Sequence, residues 1–165
     1  MTERPLWAPW RIEYVTGPKD GECIFCAAAS SSAQSDPAHA PIDRTEHCIT
    51  ILNAYPYAPG HVMVAPIRHV AALEDLNEGE MLDTMRLAQR SIVAIRNAMN
   101  PDGFNTGLNL GKVAGAGIAD HLHLHVVPRW NGDTNFMPLL ADTHVIPQAL
   151  EATRTILADA IAQLP

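Results

Sequence analysis

Three histidines stand at alternate positions in His121–Trp130, whose sequence is HLHLHVVPRW. Alternate side chains of a β-strand share one face, so His121, His123 and His125 are predicted to form a row with a spacing of roughly 7 Å. Burying imidazoles without hydrogen-bond partners is costly, so packing alone does not explain three of them. Three interpretations remain open: ordinary hydrogen-bonded histidines, a metal site, and nucleophilic catalysis by a neutral ring nitrogen.

A second chemical pattern is the CIFC motif, in which Cys23 and Cys26 are separated by two residues. The pair has the spacing of zinc ligands, but it also fits a redox pair or two core thiols. The redox interpretation lacks the βαβ context of a thioredoxin fold, and a zinc site needs two more ligands from elsewhere. The third cysteine, Cys48, is predicted to be a small core residue.

A glycine-rich loop, NLGKVAGAGIAD, lies directly before the histidine row, at Asn109–Asp120. Glycines let backbone amides approach a ligand closely, and several N–H groups together suit a phosphate. An ordinary flexible hairpin loop explains the same composition. Beside a possible nucleophile, however, such amides can hold phosphoryl oxygens in a transition state, so loop and row are predicted to form one site.

The elements that must position these residues follow from hydrophobic patterning. Residues 1–22 have no clear period and are predicted to be an N-terminal arm, followed by a single domain over residues 23–165. CIFC opens a turn or short helix, and the polar segment Ser30–Pro41 is predicted to be a surface loop. The β-branched runs His47–Asn53 and His61–Ile67 are predicted to be two linked strands.

A long helix is predicted between Asn77 and Asn100. Its apolar residues recur in steps of three and four and are expected to face the core: Met81, Met85, Ala88, Ile92, Ile95 and Met99. A strand over Phe104–Leu110 and a closing helix with Pro147 in its first turn complete the pattern. This order of elements predicts an α+β fold, an antiparallel sheet with helices packed on it.

Composition limits the classes of function. The chain has 165 residues, enough for one domain with a sizeable core, and a net charge of −7. That charge argues against a general binder of nucleic acid or of anionic membranes, which usually needs a basic field. No apolar run approaches the roughly 20 residues that cross a bilayer, so we expect a soluble cytoplasmic protein.

Several motifs together resemble those of the histidine triad (HIT) family of nucleotide hydrolases and transferases. HLHLHVV resembles the family's HφHφHφφ signature, and PGHVMVAP resembles its characteristic strand after the first turn. CIFC, LNAYPYAPGH, the long helix, LNLG and the triad occur in the family's order, over most of the chain. LWAPWR, GFNTGLNLG and VVPRWNGDTNF are similar to a bacterial branch that includes diadenosine tetraphosphate phosphorylases.

The resemblance implies a HIT-like fold and a division of labour among the histidines. His123 matches the nucleophile that attacks the α-phosphorus of an adenosine nucleotide and is transiently adenylylated. His125 matches the partner near the phosphate oxygens, and His121 and His61 match histidines that brace the site. Water or phosphate would then release the nucleotide. The expected substrates are diadenosine polyphosphates.

The same resemblance implies contacts to the nucleotide. Asn53 falls where the family contacts the ribose, Ile24 and Phe25 fall near its purine pocket, and Asn109 falls beside the phosphates. Further phosphate contacts are expected at Ala116 and Gly117. The family commonly has a serine or glutamine just before the triad, whereas this loop has only glycine and apolar residues. Backbone amides would have to donate instead, which leaves open whether phosphate or water is the second acceptor.

Some bacterial members of the family bind a structural zinc ion, and the matching positions here are Cys23, Cys26, His69 and His121. The family implies no organic cofactor, and it implies a homodimer whose sheets join across a two-fold axis. Two alternatives remain. One is an adenosine 5′-phosphoramidase with the same nucleophile, and the other is a non-catalytic module that binds nucleotide or metal.

Overall fold

The computed structural model describes residues 22–30, 40–133 and 149–165. The N-terminal arm up to residue 21, most of the Ser30–Pro41 loop and Pro147 lie outside the described residues. Within these described segments, the helices are α1 (Ile24–Ala29), α2 (Glu78–Met99) and α3 (Leu150–Ala162). The strands in the same segments are β1 (Asp43–Arg44), β2 (Cys48–Leu52), β3 (Val62–Pro66), β4 (Gly103–Leu108) and β5 (Leu124–Arg129). Single 3-10 turns lie at Leu73–Asp75 and Lys112–Ala114.

The five strands form one antiparallel sheet in the order β1-β2-β3-β5-β4. The predicted α+β class is therefore confirmed. His125 of β5 lies between Met63 of β3 and Gly107 of β4, so the histidine strand is central and has a neighbour on each side. This position fixes the orientation of the β5 side chains more firmly than an edge position would.

The two β-branched runs form the predicted pair of strands, β2 and β3, and every residue of both strands is buried. Burial on both faces explains why the two runs are continuously apolar rather than alternating. Gly60 ends the connecting loop with a φ of +80°, and a Cβ atom at this position would lie 2.8 Å from the Met99 sulfur. The positive φ therefore favours glycine here, and a Cβ atom would in addition require the Met99 side chain to move.

Helix α2 has both of the predicted ends. The Asn77 side chain accepts a hydrogen bond from the Glu80 N–H, and the Glu80 carboxylate accepts one from the Asn77 N–H. This reciprocal capping box satisfies N–H groups that the helix itself leaves unpaired. Asn100 adopts the left-handed conformation, with a φ of 48°, and ends the helix.

The prediction that α2 buries all its apolar stripe was wrong at its first turns. Ala88 and Ile95 are buried, but Met81 is 46% exposed and Met85 is 59% exposed. Glu80 and Asp83 occupy the buried face there instead. They are stabilised by charged or backbone donors: Arg68 donates to Glu80, and the His47 N–H donates to Asp83. Partnered carboxylates can thus take core-facing positions that periodicity assigns to apolar residues.

Apolar clusters lie on both faces of the sheet. The larger cluster lies under α2 and α3 and includes Leu52, Val62, Ile95, Val126 and Leu157. The second cluster lies under α1 and includes Phe25, Ile49, Ile51, Met63 and Ala65. Because His125 pairs with Met63, its side chain shares the face of the sheet that α1 covers. Within the three described segments, no helix is long and apolar enough to cross a membrane.

Candidate functional site

Strand β5 is shorter than the histidine pattern predicts. It begins at Leu124, so that His125 alone of the three histidines lies within it. His121 and His123 precede the strand. The residue between them is anchored by a backbone hydrogen bond, in which the Leu122 N–H donates to the Val70 carbonyl at 2.7 Å.

The three rings share one face, as predicted. The Phe25 ring lies 5.0 Å from the His121 ring and 4.9 Å from the His123 ring, measured between centroids. The His123 and His125 rings meet edge to face at 4.8 Å. Because Phe25 is fully buried, it fixes two imidazoles at once from the side of α1.

The central ring, His123, is held in one tautomer. Its Nδ1 lies 2.8 Å from the carbonyl oxygen of His121. A carbonyl can only accept, so Nδ1 carries the hydrogen and Nε2 of the neutral ring has a lone pair. His123 is 6% exposed, and burial lowers its pKa below that of an ordinary histidine, although the bond to the carbonyl partly opposes this shift. The neutral, nucleophilic form is therefore favoured at neutral pH.

At one end of the row, His61 and His125 form a hydrogen-bonded pair. His61 is fully buried, and its Nε2 lies 2.9 Å from Nδ1 of His125. The Tyr57 backbone N–H donates to Nδ1 of His61 at 3.2 Å. Nδ1 of His61 is thus an acceptor, and a neutral His61 carries its proton on Nε2, from which it donates to His125.

Asn53 organises the same loop between β2 and β3. Its Oδ1 accepts a hydrogen bond from the Tyr55 N–H at 2.9 Å, and its Nδ2 lies 3.3 and 3.4 Å from the two ring nitrogens of His61. The side chain is 8% exposed. Asn53 therefore lies beside the histidine pair, where its amide braces the loop.

At the opposite end of the row, four side chains form a cluster that is able to hold a metal ion: Cys23, Cys26, His69 and His121. Their ligand atoms all lie within 4.8 Å of one another. Nδ1 of His121 lies 3.2 Å from the Cys23 sulfur and 3.7 Å from the Cys26 sulfur, and Nδ1 of His69 lies 3.2 Å from the Cys26 sulfur. The cluster therefore unites the four residues that the family resemblance implies.

The geometry of this cluster fits a tetrahedral ion. Zinc bonds of about 2.3 Å to sulfur and about 2.0–2.1 Å to nitrogen place neighbouring sulfur and nitrogen ligands about 3.6 Å apart. The tautomer of His121 fits as well, because its Nε2 lies 2.9 Å from the Pro66 carbonyl and must carry the hydrogen. Its Nδ1 lone pair then faces the two sulfur atoms, and the carbonyl is the kind of partner that orients metal-bound histidines.

Burial acts on both kinds of ligand in the cluster. It lowers the pKa of His121, and the bond to the Pro66 carbonyl partly opposes this shift. It also raises the pKa of the Cys26 thiol, and the neighbouring Cys23 adds to that increase. Without a cation, two adjacent thiolates are therefore disfavoured, whereas a neutral imidazole is favoured. A bound cation would supply the charge that stabilises both thiolates.

The glycine-rich loop after β4 is exposed over Gly111–Gly115. Gly111 and Gly115 have φ values of +82° and +89°, which shape the loop around its 3-10 turn. The Ala116 N–H points back to the Gly111 carbonyl at 3.4 Å. Gly117 is partly buried in the following bend. The loop thus leads directly into the segment that carries the three histidines.

Two further predicted contacts flank the row. Asn109 follows the last residue of β4, and continuing the register of β4 with β5 places it opposite His123. Ile24 is partly buried and packs against the α1 cluster beside Phe25. Asn109 thus lies next to the predicted nucleophile in the continued register, and Ile24 lies in the apolar cluster that contains Phe25.

Sequence reasoning missed two partners of the histidines. The first is Pro66, whose carbonyl fixes the tautomer of His121 from the end of β3. The second is Tyr57, which contacts His61 through both its backbone and its ring. Neither residue type has a spacing that indicates such a role. The only available signal was the closeness of Tyr57 to His61 within one short loop.

Comparison with known proteins agrees with this geometry. Residues 37–132 match the HIT domain family, and the chain belongs to that family. The AP-4-A phosphorylase of Mycobacterium tuberculosis is 42% identical over 171 residues, which cover 97% of this chain and 85% of the relative. The adenosine 5′-monophosphoramidase of Saccharomyces cerevisiae is 32% identical over 110 residues, which cover 67% of this chain and 64% of the relative.

Among solved structures, a zinc-bound histidine triad family protein from Mycobacterium smegmatis has the same fold. Its TM-score is 0.67 at 31% identity, and the alignment covers 86% of this chain and 94% of that protein. The recognised family and the predicted fold are thus confirmed.

Proposed function

We propose that this protein is a nucleotidyl hydrolase or transferase that cleaves diadenosine polyphosphates through a covalent intermediate on His123. The observation that carries the proposal is the hydrogen bond from Nδ1 of His123 to the His121 carbonyl, which leaves Nε2 as a neutral nucleophile. The likeness to the M. tuberculosis AP-4-A phosphorylase over nearly the whole chain supports both the enzyme class and the substrate class.

The reaction has two displacements at one phosphorus atom. First, Nε2 of His123 attacks the α-phosphorus, a P–N bond forms, and the bond from that phosphorus to the bridging oxygen of the leaving polyphosphate breaks. Second, water or phosphate attacks the same phosphorus and the P–N bond breaks, which releases AMP or ADP. A neutral imidazole meets less repulsion from the anionic phosphates than hydroxide would, so two easier steps replace a difficult one.

The neighbours of His123 have distinct proposed roles. His125, whose Nδ1 accepts from His61, carries its proton on Nε2 and donates it toward the phosphate oxygens. Asn109 and the backbone amides of Ala116 and Gly117 contact the phosphates, and the Ala116 N–H gives up its long bond to the Gly111 carbonyl to do so. Asn53 contacts the ribose. This last role requires Asn53 to exchange some of its contacts within the loop for contacts with the substrate.

The purine is proposed to lie against Ile24, the first residue of α1. Phe25 is fully buried and contacts two of the histidines, so it supports the wall of this pocket from behind. Both residues belong to the apolar cluster on the α1 side of the sheet, which provides a surface that a purine ring can pack against.

We propose that the Cys/His cluster holds a structural zinc ion. Two thiols and two Nδ1 atoms make a closed set of four protein ligands, which leaves no position for substrate. A bound zinc ion would supply a cross-link between the N-terminal end of α1, the loop after β3 and the histidine segment. The zinc-bound relative from M. smegmatis supports this choice of metal.

A homodimer is proposed from the position of β4. This strand is at the edge of the sheet, and Asn105, Thr106 and Gly107 are exposed. An exposed edge can pair with the same strand of a second chain across a two-fold axis. Light scattering after gel filtration would test this proposal, and a monomeric mass at micromolar concentration would contradict it.

The function is tested by incubating the purified protein with diadenosine tetraphosphate, with and without inorganic phosphate, and separating the products. Phosphorolysis gives ADP and ATP, whereas hydrolysis gives AMP and ATP. The name of the M. tuberculosis relative favours ADP. Adenosine 5′-phosphoramidate, tested in parallel, addresses the rival activity that the S. cerevisiae relative suggests. Turnover of none of these substrates would favour the non-catalytic binding module.

A further inference from the structure

Tyr57 contacts His61, the buried member of the histidine pair, in two independent ways. Its ring stacks on the His61 ring with a centroid distance of 5.2 Å and an interplanar angle of 15°. Its backbone N–H donates to Nδ1 of the same ring at 3.2 Å. The Tyr57 ring also lies 6.5 Å from that of His125, at a steeper angle of 57°. One loop residue therefore determines both the plane of His61 and the partner of one of its nitrogens.

The partner of that nitrogen decides where the proton lies in the whole pair. Nδ1 of His61 accepts from the Tyr57 N–H, so the neutral ring has its hydrogen on Nε2. Nε2 then donates to Nδ1 of His125 at 2.9 Å, so His125 in turn has its hydrogen on Nε2. A chain of two donated hydrogen bonds thus runs from the loop backbone to His125.

Asn53 contacts the same ring but does not determine which of its nitrogens carries the proton. Its Nδ2 lies 3.3 Å from Nδ1 and 3.4 Å from Nε2 of His61, so it distinguishes poorly between the two nitrogens. The Tyr57 N–H contacts Nδ1 alone. The selection of one tautomer therefore depends on Tyr57, while Asn53 holds the loop through its bond to the Tyr55 N–H.

We propose that Tyr57 is a positioning residue that keeps His61 in the Nε2–H tautomer and thereby keeps His125 a proton donor toward the substrate. The inference deepens the proposed function and rests on the role that it gives to His125. The stacked ring holds the imidazole plane so that Nδ1 stays opposite the backbone donor. Without the stack, the His61 ring can rotate about its side-chain bonds, and the other tautomer becomes accessible.

The ring, and not the phenol oxygen, is predicted to matter. Tyr57→Phe retains the stack and the backbone donor, so its kcat should stay within about twofold of the wild-type value. Tyr57→Leu removes the whole ring, and with it both the stack on His61 and the contact with His125, but it keeps the backbone donor. Because an aromatic pair contributes a modest free energy, kcat should fall about threefold to tenfold, with KM within about twofold. Tyr57 is 38% exposed, so Tyr57→Gln is a second variant if Tyr57→Leu folds poorly.

A matched control is available in the same loop. Tyr55 is also 38% exposed and lies two residues earlier. Tyr55→Leu removes an aromatic ring from this loop but keeps the Tyr57 stack. It should leave kcat within about twofold of wild type. An equal loss of kcat in Tyr55→Leu and Tyr57→Leu would mean that any loosening of the loop slows turnover, and it would overturn the proposal.

The decisive readout is the tautomer itself, measured by long-range proton–nitrogen NMR of the histidine rings in the wild-type protein and the variants. His61 should be in the Nε2–H form in the wild type and in Tyr57→Phe, and in a mixture of both forms in Tyr57→Leu or Tyr57→Gln. A purely structural role for the ring would not change this ratio. An unchanged tautomer and unchanged kcat in both ring-deleted variants would overturn the proposal.

Failure of the proposed function would look different. If the wild-type protein never acquires a covalent nucleotide on His123 when incubated with diadenosine tetraphosphate, the catalytic role of the row is wrong. The NMR measurement still reports whether Tyr57 sets the His61 tautomer. Conversely, the wild-type protein could be adenylylated while Tyr57→Leu has the wild-type kcat and the wild-type His61 tautomer. That result would refute the positioning role and leave the enzyme mechanism intact.

Discussion

The histidines at the two ends of the row have the same tautomer but different partners, and therefore different proposed roles. At the His121 end, Nε2 donates to a backbone carbonyl, and Nδ1 faces two thiols in a cluster that is able to hold a cation. At the His125 end, Nδ1 accepts from His61, so the proton remains on Nε2. His123 between them has the lone pair on Nε2 instead. The partner of one ring nitrogen therefore determines what the other nitrogen can do.

The largest effect should come from removing the central ring. His123→Ala deletes the proposed nucleophile, so kcat for diadenosine tetraphosphate should fall by roughly 10⁴-fold or more, while nucleotide binding persists. Product separation and mass analysis of the intact protein would check this. His47→Gln, a histidine outside the row, should keep its activity. A His123→Ala variant with full turnover would mean that the middle of the row has no covalent role.

The next effect tests the His125 end. His125→Asn removes a proton donor but leaves the nucleophile, so adenylylation of His123 should slow by about 10²- to 10⁴-fold and still occur. Single-turnover measurement of the covalent nucleotide separates this outcome from loss of the nucleophile. Metal content should remain as in the wild type, because His125 lies away from the Cys/His cluster. A complete absence of the covalent nucleotide in His125→Asn would show that the proton-donor role of His125 cannot be separated from the nucleophilic role of His123.

The effect at the His121 end should be on stability before chemistry. Cys26→Ser removes a thiol that lies beside both histidines of the cluster, so bound zinc should be lost and Tm should fall by about 10 °C. Elemental analysis and calorimetry would check this. Cys48→Ala, at the buried cysteine outside the cluster, should keep the zinc. Unchanged metal content in Cys26→Ser would contradict the proposed ligand set.

The smallest effect is a displacement of the pH profile. Burial lowers the pKa of His123, so the ring stays neutral until the pH falls below the ordinary value of about 6.5. The acid limb of the adenylylation rate should therefore have its midpoint below that value. Diadenosine tetraphosphate has no terminal phosphate, so its own ionisation does not obscure the profile. A midpoint at or above about 6.5 would mean that burial does not control the charge of the nucleophile.

Much of the fold was predictable because local patterns and tertiary packing agree. The paired β-branched runs, the capped helix from Asn77 to Asn100 and the alternation around His123 were all recognisable in the sequence. The buried face of the first turns of α2 was not. Periodicity counts apolar residues, whereas burial of Glu80 and Asp83 depends on partners from distant segments.

The site divides in the same way. The sequence alone determined which residue types are available, three alternating imidazoles and a CxxC pair, because strand periodicity and ligand spacing are local properties. The rings of His123 and His61 have hydrogen-bond partners only two and four residues away. For His121 and His125, only the tertiary structure decided which nitrogen carries the proton, because their partners, the Pro66 carbonyl and the His61 ring, are 55 and 64 residues away in the chain. Hydrogen bonds act over about 3 Å, and no sequence spacing specifies contacts between residues so far apart in the chain.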